Sequence, residues 1–152
     1  MKKLHLIWML LFACIMSLGM SACAGADEGE SWEDWILRNT INGPAWRVYQ
    51  IKENKQWVDC DKFWFEIKFS ASHHNFKSTK FYYVDGVADE STREEYDGSD
   101  DTAYQISGKI IEGTVGGSKY FRMELTEKVT EKLVCKLHFY KENKTYEVVM
   151  MR

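Results

Sequence analysis

The chain has 152 residues, is 45% hydrophobic and 28% charged, and carries a formal net charge of −3. That length and balance exclude a disordered, collagen-like or multi-domain protein. Setting aside Met1 to Ala22, with 16 apolar residues and only the charges Lys2 and Lys3, leaves 18 basic against 23 acidic residues; without a local basic patch, such a chain has no broad field for nucleic acid.

Lys2 and Lys3 form a positive n-region, and Leu4 to Met16, apolar except for His5, has the length of a secretory h-region. It is shorter than the ~20 residues a membrane-spanning helix needs. Leu18-Gly19-Met20-Ser21-Ala22-Cys23 then places small residues at the two positions before a cysteine, and this resembles the lipobox of bacterial lipoproteins. The resemblance implies a signal peptide over 1–22 and a mature N-terminus at Cys23 carrying palmitate-type acyl chains, a membrane anchor worth roughly 0.8 kcal/mol per buried methylene. An ordinary signal peptide cut after Ala22 is the alternative. Residues 23–30 form the lipidated cysteine and a flexible acidic tether. Asp27, Glu28 and Glu30 resemble the surface-export signal of lipoproteins in Bacteroidetes, and equally suit a solvated linker. Ala24 is not the aspartate of inner-membrane retention, so the resemblance implies the outer membrane, with periplasmic and surface leaflets both open.

The folded domain is expected over 31–152. Ser31-Trp32-Glu33-Asp34 has the form of a capping box, and Trp32, Trp35 and Ile36 share a helical face, which predicts a helix of two to three turns ending before Asn42-Gly43-Pro44. Beyond Pro44 the period becomes two. In Phe63 to Phe69 the apolar Phe63, Phe65, Ile67 and Phe69 oppose Glu66 and Lys68, and the same alternation marks Phe121 to Leu125 and Leu133 to Phe139. Strands are predicted near 46–52, 62–70, 76–85, 102–107, 109–115, 119–126, 132–140 and 144–151. Gly116-Gly117, Ser107-Gly108 and the two Lys-Glu-Asn-Lys segments at 52–55 and 141–144 supply hairpin turns. The expected fold is all-β: an eight-stranded antiparallel up-and-down barrel with a short N-terminal helix.

The segments Ile41 to Val48, Lys55 to Val58 and Tyr104 to Ile111 resemble the small lipocalin-like lipoproteins of Bacteroidetes. That resemblance implies a barrel with its apolar face inward, Trp46 closing one end beside the helix, and a small apolar or amphipathic ligand inside. Phe65, Phe81, Phe121, Met123 and Leu137 are the pocket candidates, with core packing as the alternative role for each.

Cys60 and Cys135 are left for the folded part, either as a disulfide, worth roughly 4 kcal/mol in the chain-entropy model, or as free thiols. His73 and His74 read as a solvated turn, and His138 as a surface residue. The stretch from Asp85 to Asp101 reads as a long acidic loop able to gate a barrel mouth, without the spacing of a calcium loop. Asp101-Thr102-Ala103 resembles a short O-glycosylation motif. No nucleophile elbow, phosphate loop or metal signature is present, so no catalytic residue, metal or cofactor is expected and the chain reads as non-enzymatic. The expected function is a lipid-anchored envelope protein binding a small ligand. The alternatives are a solid-core module that binds an envelope protein, and a barrel-cavity enzyme.

Overall fold

The computed structural model describes residues 29–99 and 101–152. The signal segment, Cys23, most of the tether and Asp100 lie outside them. The folded unit spans Trp32–Arg152.

It begins with α1 (Trp32–Ile36), continued by a π-helical turn over Leu37–Ile41. The wider turn is held by side-chain amides: Asn39 Nδ2 donates to the Trp35 carbonyl at 3.0 Å and Asn42 Nδ2 to that of Leu37 at 3.2 Å. Trp35, Ile36, Thr40 and Ile41 face inward. Glu33 reaches the β6–β7 turn described below, accepting the Gly108 amide at 2.8 Å.

Ten strands follow: β1 (Trp46–Glu53), β2 (Gln56–Asp59), β3 (Phe63–Ser70), β4 (Asn75–Val84), β5 (Val87–Tyr96), β6 (Thr102–Ser107), β7 (Ile110–Val115), β8 (Ser118–Glu127), β9 (Lys132–Phe139) and β10 (Lys144–Met151). They form one antiparallel sheet in the order β5-β4-β3-β1-β10-β9-β8-β7-β6, with β2 paired to β1. The sheet nearly closes into a barrel. At the seam the Thr102 hydroxyl donates to the Phe76 carbonyl at 2.7 Å, and the Tyr104 amide donates to that of His74 at 3.3 Å. Thr102 is thereby buried and engaged, although it lies in the glycosylation-like tripeptide.

The count of eight strands is corrected to ten, for two physical reasons. β2 and β3 both lie along β1, where three steps from Gln50 to Arg47 are matched by seven from Asp59 to Glu66: between the strands expected at 46–52 and 62–70 the chain turns at Asn54 and Lys55 and pairs with β1 as a short additional strand before it loops out into β3. The acidic stretch expected as a loop is β5. Asp85 and Gly86, with φ of 50° and 75°, make a two-residue hairpin turn that returns the chain along β4. Its side chains are polar because one face of β5 meets water. A bulge interrupts β5, where Lys80 to Tyr82 on β4 is matched by Glu94 to Asp89.

Alternation puts one aromatic face inside. Trp46, Phe63, Phe65, Phe76, Phe121 and Phe139 are each at most 1% exposed. Gly113 shows how little slack remains, since a Cβ there would lie 2.1 Å from the Phe121 ring. Gly113→Ala is therefore expected to destabilise by about 1–3 kcal/mol through overpacking, read as a lower melting temperature; unchanged melting would mean that Phe121 has room to move.

Candidate functional site

The interior gathers four of the five pocket candidates. Phe65, Phe121, Met123 and Leu137 are 0% exposed, with Phe65 6.1 Å from Phe121 and 5.1 Å from Phe139 in edge-on or tilted contacts. They fill the barrel with one another. Phe81 faces the other way: it pairs with Trp64 across β3 and β4 and stacks on it on the outer surface.

In place of Phe81 the inner face carries Lys80, fully buried. Its ammonium meets Glu142 Oε1 at 2.9 Å and Glu94 Oε2 at 3.2 Å, and lies 4.5 Å from the centre of the Phe139 ring. Glu94 is also held by Lys141 at 2.8 Å. Burial is the largest single influence on the Glu94 carboxyl and opposes its ionisation, but Lys141 and Lys80 together outweigh it and hold the group below the usual carboxylate range. Burial, reinforced by Glu142 and Glu94, pushes the neighbouring Tyr82 and Tyr120 phenols upward, so they stay neutral. The cluster ties β4, β5 and the β9–β10 turn together at one end of the barrel.

Where β1 begins, Trp46 is 1% exposed and its indole N–H donates to the Thr40 carbonyl of the π-helical turn at 2.8 Å. The Arg152 guanidinium lies 4.1 Å above that indole and donates to the carbonyls of Asn39 and Asn42, each at 2.7 Å.

On the outer face of β3, β4 and β5 run two adjoining grooves of about 490 and 400 Å³ that share Glu66, Thr79 and Glu95. Lys68 and Lys77, directly opposite one another, border the first, and Trp64, Phe81 and Tyr83 line the second. The rings belong to a ladder that alternates with arginines. Arg47 lies 4.2 Å from the Tyr49 ring and 4.4 Å from that of Trp64; Trp64 is parallel to Phe81 within 4°; Arg93 lies 4.6 Å from Phe81.

Cys60 and Cys135 are separate free thiols. Cys135 is 1% exposed, and burial raises it to about 12; Cys60 is raised by burial too, with its Sγ 3.3 Å from the Phe63 carbonyl oxygen. His73 and His74 lie in the β3–β4 turn, and His138 lies on the outer face against Thr145. Among the described residues no three His, Cys, Asp or Glu side chains converge as metal ligands. Sequence reasoning missed Lys80, Arg47 and Trp64. The available signals were parity, since Lys80 is in step with Phe76 and Tyr82, and the presence of Trp64 on the polar side of a strand with Glu66 and Lys68.

No family model matches the chain, and no curated protein or solved structure matches it at a significant level.

Proposed function

We propose that the chain is a lipid-anchored protein of the bacterial outer membrane, held through Cys23, whose lipocalin-like barrel is a solid, non-enzymatic module that binds another envelope protein. The observation that carries this reading is the contrast between the two faces. The inner face is filled by Phe65, Phe121, Met123 and Leu137, all 0% exposed, while the two adjoining grooves with the aromatic–arginine ladder lie outside, on β3, β4 and β5. A ladder of Trp, Tyr and Arg is also the composition that dominates binding energy at protein interfaces.

A small amphipathic ligand is the second reading. The aromatic end of the outer groove and the Lys68–Lys77 end favour it, in a place other than the barrel interior. Native mass spectrometry of the full chain purified from its own host separates the two. The expected result is a co-purifying protein and no stoichiometric small molecule; a bound small molecule without a protein would replace the first reading by the second.

A further inference from the structure

The ladder on the outer face is closed at one end and open at the other. At the β5 end the Arg93 guanidinium stacks on Phe81 and is saturated by carboxylates of its own strand: Glu90 at 2.5 and 2.9 Å and Glu95 at 2.9 Å. At the β1 end Arg47 is held between two rings, Tyr49 and Trp64, at nearly the same distances. Among the described residues no carboxylate lies within ion-pair distance of it, although Glu66 is its direct partner across β1 and β3. Lys68 and Lys77, bordering the adjoining groove, have no ion partner among the described residues either.

Two stacked rings fix the plane of a guanidinium and leave its rim of N–H donors free. That is a rigid fork whose geometry matches a carboxylate, and it loses little entropy on binding one. The surroundings state what should accompany the carboxylate. Tyr49, 40% exposed, and Met151, 43% exposed and opposite Arg47 on β10, give an apolar frame; the Trp64–Phe81–Tyr83 groove continues it.

We infer that Arg47, framed by Tyr49 and Trp64, anchors an acidic segment of a partner protein, whose Asp or Glu carboxylate takes at Arg47 the place that Glu90 and Glu95 take at Arg93, and whose neighbouring apolar side chain enters the groove beside Phe81 and Tyr83. The charge argument favours an acidic occupant: Arg47, Lys68 and Lys77 are three cations against the carboxylates of Glu66 and Asp97, since Glu95 is engaged by Arg93. This rests on the protein-binding reading above and adds to it the location and chemistry of the partner.

The experiment is photo-crosslinking of the full chain in the cells that make it, with benzoylphenylalanine at Tyr83 beside the groove, or at Lys136 on the remote face of β9. The expected result is a protein cross-linked from Tyr83 through a peptide containing Asp or Glu. Arg47→Ala should lower the yield ~10-fold or more, as befits an anchor residue. Arg47→Lys, which keeps the charge but not the fork, should lower it by an intermediate factor. Both variants should retain the wild-type melting temperature within a few degrees; if either does not fold, Arg47→Gln in the same assay decides, again with an expected ~10-fold loss. A yield indifferent to Arg47, or a cross-linked peptide without a carboxylate, overturns the inference. Cross-links from Lys136 but none from Tyr83 would overturn this site and leave the protein-binding reading standing, and silence from both positions would overturn both.

Discussion

Replacing Lys80 with alanine is expected to destabilise the protein by about 3–5 kcal/mol, because the substitution leaves two mostly buried carboxylates facing each other without their shared cation. Glu94 and Glu142 have side chains only 12% and 22% exposed, and Lys80 itself is at 0%. Lys141 neutralises only Glu94, and from the surface. The comparison that isolates the charge is Lys80→Met combined with Glu94→Leu and Glu142→Leu, which replaces the ionic cluster by apolar side chains and should recover most of the loss. Urea unfolding of the three forms measures both differences. A Lys80→Ala protein as stable as the parent would mean that water reaches the cluster and screens it.

The same cluster gives stability a pH dependence of definite sign. The Glu94 carboxyl is held below its ordinary value in the folded state, so its contribution is fully present above the unfolded carboxylate range and is lost as pH falls through the lower folded value. Acid should therefore weaken the parent more than Glu94→Gln over that interval. A parent curve parallel to that of Glu94→Gln would remove Glu94 as the source.

The second large effect is expected where β1 begins, beside the π-helical turn. Trp46→Ala should cost about 3–5 kcal/mol, the range for deleting a fully buried aromatic side chain. It removes the ring beneath Arg152 and the donor to the Thr40 carbonyl as well as the core volume. Arg152→Ala alone should cost about 1–2 kcal/mol, because the guanidinium is partly in water while it satisfies the carbonyls at the end of the π-helical turn. The two substitutions share one contact and should be non-additive by roughly 0.5–1 kcal/mol in a double-mutant cycle. Strict additivity in thermal or urea melts would show that the indole and the guanidinium act independently.

Much of the fold was legible because alternation is a local property. Phe63 to Phe69 and Leu133 to Phe139 declare their inner faces by period alone, and both are strands with those residues buried. β5 was hidden because its outward residues are charged and its inward ones, Thr92 and Glu94, are polar too, so no hydrophobic period marks it. The Asp85-Gly86 turn was the available signal, and it is one of the strongest two-residue hairpin signals. Phe81 was assigned inward on hydrophobicity. Register overrules that, because Phe65 pairs with Lys80 and Trp64 with Phe81, which fixes Lys80 inside and Phe81 outside.

The sequence by itself determined an antiparallel all-β domain with a helix before its first strand, an aromatic face to bury, and Trp46 as the large residue next to the helix. Tertiary structure decided which strands adjoin, where bulges reset the two faces, and what a buried lysine meets: Glu142 lies 62 residues from Lys80, and only closure of the sheet brings them to 2.9 Å. The physical reason is that side-chain alternation is set by the backbone of one strand. Cross-strand register and the partners of a buried charge are set by pairings between segments far apart in the chain, and no local pattern records them.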